Sequence, residues 1–267
     1  MDDLSKNISV LSYNVWFDKE NKGKRTVSLV ENIKILDPDV VCFQEMTEDV
    51  LSYIKKRLTK YYVYPKTLNS VYGCVIISKY PISKTKTYTL SSNMNRSLLV
   101  AKIDVLFEIL DGDMIRAENR YILVSTCHYE SEFNNVNPTK IKQFNEVKII
   151  LDRLSKQYGN IIHCADTNIT GVEQTQYLTN DIEWIDAWIK NGSNNDDCYT
   201  YDCYTNDNLM NRKIKLRSRI DRTAYRSNGA LTCTDFKIVK GVLDFIQPSD
   251  HHGILSTFCL KYIDTYI

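Results

Sequence analysis

The sequence has no apolar run near the roughly 20 residues that would cross a bilayer, no CxxC pair, no Pro-rich or Gly/Ser-rich stretch and no surplus of charge of either sign. The first absence argues against a membrane-spanning helix. The second removes a zinc ribbon. The third leaves nothing that divides the chain into domains, and no internal repeat stands in its place. The fourth, a net charge of +1 from 34 basic and 33 acidic side chains, means that only local clustering can point to a polyanionic partner. The start, MDDLSKNISV, is acidic and polar where a secretion signal would be basic and then apolar. Without that signal the eight cysteines read as reduced thiols, most of them packed as small hydrophobes, and the close pair Cys198 and Cys203 as incidental. The expected setting is intracellular, in nucleus or cytoplasm. Composition is that of a globular protein, 43% hydrophobic and 25% charged. At 267 residues the chain can bury a large core without staples or partners, so a monomer is expected.

Strand-like and helix-like runs alternate. Strands are expected at 8–13, 40–43, 61–64, 72–78, 85–89, 97–107, 119–127, 160–164, 219–226, 233–238 and 254–260. Helices are expected at 24–36, with Val27, Val30, Ile33 and Leu36 near one face, at about 47–58, and at 138–158. Asn137 caps the last, Pro138 suits its first turn and Gly159 its end. Its stripe is expected to run through Ile141, Phe144, Lys148, Leu151 and Leu154. Trp184 and Trp188 are expected to share a face of a short helix as core residues, and 191–211 to be a long loop. Long stretches of consecutive strands between helices suggest two packed sheets flanked by helices in one domain, a four-layer α/β sandwich over 1–267.

Five polar motifs sit at strand ends: Asn14 after LSY, Gln44-Glu45 after VVCF, His128-Tyr129-Glu130-Ser131 after VSTC, Asp166-Thr167-Asn168 after IIHCA, and Ser249-Asp250-His251 before GILSTF. One polar residue at a strand end is usually a turn or a cap. The repetition is the signal, because strand ends on one edge of a sandwich converge. Glu45, Asp166 and Asn14 supply oxygen ligands, which suit Mg²⁺ or Mn²⁺ better than zinc. His128 and His251 supply donors for a developing negative charge, and Asn168 can orient a water or a phosphate oxygen. P-loop, GxSxG and HExxH signatures are missing. The set fits phosphate-ester hydrolysis by metal and electrostatic stabilisation. His163, inside NIIHCA, reads as a satisfied core histidine.

These motifs resemble the endonuclease/exonuclease/phosphatase superfamily, from Ser9 to Tyr262, and within it the group of 5′-tyrosyl-DNA phosphodiesterases. HYES at 128–131 is similar to that group's HLES, IDAW at 185–188 to VDVW, and SDHHG at 249–253 to SDHWG. Met94-x-Arg96-x-Leu98-Leu99 is similar to MGRNLL. DTN at 166–168, YTYD at 199–202 with Asn206 and Asn208, and KLRSRIDRTAYR at 215–226 complete the match. The resemblance implies that Glu45 binds Mg²⁺, for which Mn²⁺ can substitute, with Asn14 and Asp250 nearby. Asp166 would position and deprotonate the attacking water, helped by Asn168. His251 and His128 would stabilise the pentacoordinate phosphate, with Asp250 orienting His251. Apart from the resemblance, Glu130 reads simply as a supporting partner of His128. Arg96 and Ser131 would contact the phosphate or the DNA backbone.

Three positions depart from the group's pattern: Ala165 replaces a glycine, Tyr201 a tryptophan and His252 a tryptophan. With seven residues before the first expected strand, that group's N-terminal ubiquitin-binding module is not expected.

Seven of the fifteen residues from Arg212 to Arg226 are Lys or Arg, Arg217 and Arg222 among them, beside Tyr199, Tyr201 and Tyr204. Cations with aromatic faces suit single-stranded DNA. Taken with this cluster, the resemblance implies as partner DNA carrying a 5′-linked tyrosine or peptide, with a single-stranded 5′ end, as in repair of trapped topoisomerase adducts. The alternatives are another nuclease of the same fold (abasic-site endonuclease, 3′ exonuclease, RNA or 2′,5′-oligonucleotide phosphodiesterase), a lipid or inositol phosphatase, and a non-catalytic binding module.

Overall fold

The computed structural model describes residues 4–111, 114–131, 137–169, 177–178, 181–193, 198–241 and 246–262. Its elements in chain order are β1 (Ser5–Asn14), α1 (Lys22–Leu36), β2 (Val40–Met46), α2 (Glu48–Arg57), β3 (Tyr62–Tyr64), β4 (Gly73–Ser78), β5 (Ile82–Thr89), β6 (Ser97–Asp111), β7 (Met114–His128), α3 (Pro138–Tyr158), β8 (Ile161–Asp166), β9 (Ile185–Asp186), α4 (Ala187–Lys190), β10 (Tyr201–Asp202), β11 (Arg217–Ser218), β12 (Asp221–Arg226), β13 (Leu231–Val239) and β14 (Gly253–Lys261).

Two six-stranded sheets form, in the orders β13-β14-β1-β2-β4-β3 and β5-β6-β7-β8-β12-β9, with β10 and β11 as a separate ribbon. Both sheets are mixed: β1–β2 and β7–β8 pair in parallel, and the other pairs are antiparallel.

Strand alternation explains the layers. Ile8 and Val10 of β1 face the second sheet and pack with Ile122, Val124 and Ile162. Leu11 and Tyr13 face the other way, with Leu29 and Ile33 of α1 and Leu51 of α2. The outer face of the second sheet packs Phe144, Val147 and Leu151 of α3 against Leu123 and Ile161. The result is the expected four-layer sandwich.

Local expectations were corrected in several places. The buried side of α1 runs through Arg25, Leu29, Val30, Asn32 and Ile33, while Val27 is 42% exposed. Arg25 is the reason. It is buried and donates to the carbonyls of Val15, Trp16, Asp18, Glu20 and Pro248, which turns the helix toward the 15–20 loop. The buried stripe of α3 is Lys140, Gln143, Phe144, Val147, Leu151 and Ser155, with Ile141, Lys148 and Leu154 at its edges. Two polar residues are drawn inward by partners: Lys140 Nζ donates to the Asn168 carbonyl at 2.7 Å, and Gln143 Nε2 to Glu130 at 2.9 Å. Trp184 precedes the one-turn helix that carries Trp188, so the two share no helix face. Trp184 is buried and donates to Asp152, whereas Trp188 is half-buried under Arg219. The expected loop at 191–211 contains β10 and a 3₁₀ turn at Asp207–Leu209, and 194–197 lie outside the described residues. Cys198 and Cys203 are buried and form no disulfide. His163 is the expected core histidine, bonded to Ser125 Oγ and Tyr129 Oη and pushed down by burial to a pKa of about 3.

Arg25→Met keeps the stem but strands five carbonyls around an apolar end. It is expected to lower unfolding free energy by about 2–4 kcal/mol, read from the urea midpoint at unchanged slope.

Candidate active site

Register brings the polar motifs to one rim. Asn14 pairs with Gln44 at the ends of the parallel strands β1 and β2. His128 and Asp221 both pair with Asp166, at the ends of β7, β12 and β8. Glu45 lies where β2 breaks register between Phe43 and Met46, with φ 56°, and Asn168 has φ 47°. Strained backbone of this kind at a strand end is tolerated where the surroundings hold it. Gly253 closes the floor: a Cβ there would stand 2.6 Å from Tyr13 Cδ2.

Asp166 is the centre. It is 1% exposed. Its Oδ1 accepts from the Asn168 amide at 3.1 Å. Its Oδ2 accepts from Asn14 Nδ2 at 2.8 Å and lies 3.4 Å from His128 Nε2 and 3.9 Å from His251 Nε2. Burial, then Asp221, raise its pKa to about 7, against His251 and the Asn14 hydrogen bond. Asp250, buried and near the charge of Glu45, is raised to about 6.

The histidines are set differently. Arg96 Nη1 stands 3.0 Å from His128 Nδ1. A guanidinium only donates, so Nδ1 accepts and the ring proton is on Nε2, facing Asp166 and Glu45. Burial, Arg96 and His251 hold this ring neutral, well below its ordinary pKa. His251 Nδ1 donates to Asp221 Oδ2 at 2.8 Å. Burial disfavours its charge, but Asp221 and Asp166 outweigh burial and raise its pKa well above the ordinary value. The rim thus holds one neutral donor and one cationic donor.

Two trios can place ligand atoms within 4.8 Å of one another: Glu45, His128 and Asp166, and Asp166, Asp221 and His251. With Nε2–H of His128 a donor and Nδ1 of His251 committed to Asp221, the atoms left for a cation are carboxylate oxygens. That donor set fits a hard divalent cation, Mg²⁺ or Mn²⁺, and the mutual repulsion of Glu45, Asp166, Asp221 and Asp250 is what such a cation relieves. Asp250 belongs to neither trio. Asn14 is turned inward: its amide holds Asp166 and its Oδ1 accepts from Trp16 N. It therefore positions Asp166.

The family model for the Endonuclease/Exonuclease/phosphatase family matches residues 11–251. The chain belongs to this family. It is 25% identical to human tyrosyl-DNA phosphodiesterase 2, covering 95% of this chain and 69% of that protein, and 26% identical to the Xenopus laevis protein of the same name, covering 94% and 66%. It thus spans about two thirds of the length of these relatives. The crystal structure of the Danio rerio protein complexed with single-strand DNA product matches with a TM-score of 0.78 at 23% identity, over 95% of this chain and 99% of that one. At that identity the likeness shows the fold of the family.

Around this rim, the expected phosphate and DNA contacts divide. Arg96, 4% exposed, reaches His128, Tyr72 Oη at 3.4 Å and Ser131 Oγ at 3.3 Å, and its guanidinium lies over the Tyr72 ring. Its Nε has no partner among the described residues. A cavity of about 230 Å³ opens there, lined by Tyr72, Met94, Asn95, Arg96 and His128 among others. Phe17 stacks on Tyr72 at 4.6 Å. On the other side Tyr201, half-buried, stands edge-on to His251 at 5.5 Å. Arg217 on the ribbon lies over Tyr199 and Tyr204 and pairs with Asp202, and its side chain is 42% exposed.

Three expectations are corrected. Arg222 is 5% exposed, 3.6 Å from Asp186 Oδ2, and lowered by burial and Arg219 to a pKa of about 10, so it serves the core and cannot meet DNA. Asp250 does not orient His251. Asp221 does, a residue that the sequence marked only as part of KLRSRIDRTAYR at 215–226. Glu130 accepts from Ser92, Asn93 N and Gln143, so it ties down the 91–96 loop that carries Arg96 and does not bond His128.

Asp221→Asn keeps shape but removes the charge beside His251. Turnover is expected to fall by about a hundredfold or more with unchanged circular dichroism. The imidazolium loses its neighbouring carboxylate, so the alkaline limb of kcat/KM moves to lower pH. Asp166 loses its basic form as pH falls through about 7. The acid limb is therefore expected at or below pH 7, and lower still as divalent cation is added.

Proposed function

We propose that this chain is a divalent-cation-dependent phosphodiesterase that hydrolyses the bond between a protein tyrosine and a DNA 5′ phosphate, releasing 5′-phosphate DNA. The observation that carries this reading is an aromatic wall on each side of one hydrolytic centre. Tyr72 and Arg96 line one cavity beside His128, with Phe17 stacked on Tyr72, and Tyr201 stands against His251 on the other side. An aryl leaving group suits the first and a DNA base the second.

Glu45 and Asp166, with Asp250 near, would hold the cation, Mg²⁺ or Mn²⁺. When bound it supplies Lewis-acid neutralisation of the phosphate charge. The remaining work belongs to the chain. Asp166, held by Asn14 and by the Asn168 amide, takes a proton from the attacking water. Asn168 orients that water. Water oxygen bonds to phosphorus as the bond from phosphorus to the tyrosine oxygen breaks. Neutral His128 and cationic His251 donate to the charge that develops on the phosphate oxygens. A phenol of pKa about 10 leaves as phenolate without a dedicated acid. Arg96 and Ser131 contact the phosphate or the backbone, and Arg217 with the exposed cations 212–215 lines the strand's path. A monomer with a single catalytic domain over 1–267 belongs to the same reading. Among the described residues no helix is long and apolar enough to cross a membrane. Eight cysteines in no disulfide, seven of them buried, suit nucleus or cytoplasm.

The deciding experiment compares 5′-tyrosyl DNA, 5′-tyrosyl RNA, an abasic duplex and a 2′,5′-linked oligonucleotide. Fastest turnover is expected on 5′-tyrosyl DNA, and on a single-stranded or frayed end over a blunt one. Activity is expected to vanish with EDTA and to return with Mg²⁺ or Mn²⁺. A preference for the abasic duplex would leave the family but sink the substrate.

Stacking is worth about 1–3 kcal/mol per base. Tyr201→Ala is therefore expected to weaken DNA binding by about tenfold or more with cation affinity unchanged, as read by titration calorimetry at two salt concentrations.

A further inference from the structure

Away from the catalytic rim, a groove of about 290 Å³ lies between the edge strand β5 and the C-terminal half of α3. Its lining includes Lys84, Lys86, Lys102 and Arg153, with Tyr88 and Tyr158, over a floor of Val100, Leu123 and Leu154. Leu123 and His128 are five residues apart on β7, which puts the groove roughly 17 Å along the strand from the catalytic histidine.

Lysines on an edge strand, taken alone, only keep that edge from pairing with another chain. Here register does something further. Lys84 of β5 sits opposite Lys102 of β6, and Lys86 and Tyr88 follow on the same face, opposite Val100 and Leu98. Like charges directly opposite one another are destabilising, and no residue lining the groove is acidic. Lys102 reaches Asp104 at 3.3 Å, and that carboxylate also takes the Ser83 hydroxyl. Lys84 meets the Tyr158 hydroxyl at 3.5 Å, Lys86 lies over the Tyr88 ring and Lys102 over Tyr121, which stands edge-on to Tyr158. Lys84, Lys86 and Arg153 are exposed and none has a carboxylate partner among the described residues. A concave surface that holds several cations together, with aromatic rings and an apolar floor, is built for an anion that carries a ring.

We propose that the groove between β5 and α3 is a second binding site for a nucleotide, its phosphate held by Lys84, Lys86 and Arg153 and its base lodged beside Tyr88 and Tyr158. The nucleotide is either free or one unit of a single strand. Strand β5 runs into the 91–96 loop, whose Arg96 touches His128, so the groove and the catalytic cavity are joined by one short stretch of chain. The site does not depend on the reaction proposed above, because its occupancy is read without turnover.

The test uses the full chain in EDTA at low salt, with hydrogen–deuterium exchange and titration calorimetry against dTMP, a twelve-residue oligo(dT) and inorganic phosphate. Protection of 82–89 and 150–160 is expected with the oligonucleotide, with dTMP or with both. Protection by dTMP identifies a free-nucleotide site, and protection by the oligonucleotide alone identifies a strand contact. The variant Lys84→Ala/Lys86→Ala/Arg153→Ala changes only exposed side chains. It is expected to lose that protection and at least tenfold in affinity at this site, while turnover of a thymidine 5′-(p-nitrophenyl phosphate) ester stays at the wild-type value. Tyr88→Leu keeps the packing and is expected to lose affinity for dTMP or the oligonucleotide. No protection at these segments, or protection that survives the triple variant, would overturn the proposal. Inorganic phosphate protecting as well as both nucleotide probes would overturn the role of the rings and with it the nucleotide.

Discussion

The crowding of negative charge at the sandwich rim is the constraint on which the rest depends. Asp166, Asp221 and Asp250 are buried, and Glu45 is nearly so. Carboxylates so placed repel one another and lose hydration, and the raised pKa values of Asp166 and Asp250 express both costs. The fold answers with fixed donors: Asn14 and the Asn168 amide on Asp166, and His251 between Asp221 and Asp166. What these donors leave uncompensated is a demand for positive charge, which a divalent cation meets. Structure and catalysis thus share one electrostatic origin. The arrangement that is costly to fold is the one to which the proposed reaction assigns the activation of a water and the steadying of a phosphate.

Holding that crowd in place falls to residues that never touch the rim's open side. Arg25 ties α1 to the 15–20 loop and to Pro248, just ahead of the Ser249-Asp250-His251 turn. Glu130 and Gln143 clamp the 91–96 loop and so aim Arg96 at His128. Asp186 takes up Arg219 and Arg222 beneath the ribbon side. Buried cations and amides satisfied in this way leave few degrees of freedom, which is what a preorganised site requires. Between Arg96 and His128 the same contact performs two tasks, keeping the imidazole neutral and fixing which nitrogen carries the proton.

The basic segment 212–226 shows how a charge run conceals two populations. Residues 212, 213, 215 and 217 are exposed on or beside the ribbon, where Arg217 rests on Tyr199 and Tyr204. Arg219, Arg222 and Arg226 are drawn inward by Asp186, Asp152 and Glu183. A linear stretch of lysine and arginine carries no mark of which carboxylates will meet it. The partners of these three arginines lie 33 to 74 residues earlier in the chain and become neighbours only through sheet pairing.

What the amino-acid sequence determined by itself was local and periodic. The alternation in ISVLSY and VVCF made strands with one face to each layer, Asn137-Pro138 and Gly159 bounded α3, and the polar motifs after those strands marked Asn14, Glu45, His128, Asp166 and His251, with their order resembling one family. Those signals come from backbone preference and side-chain period, which act within a few residues. The rest awaited tertiary structure because it depends on which strand lies beside which. Parallel pairing of β8 with β7 and antiparallel pairing of β8 with β12 set Asp221 beside Asp166, where the turn before β14 brings His251 onto Asp221 and not onto Asp250. The same packing buried Arg222, turned Arg25 inward past Val27, split Trp184 from Trp188, and set Lys84 opposite Lys102 on a sheet edge. Each of these outcomes is a balance of burial against a partner distant in the chain, and neither partner carries that balance alone.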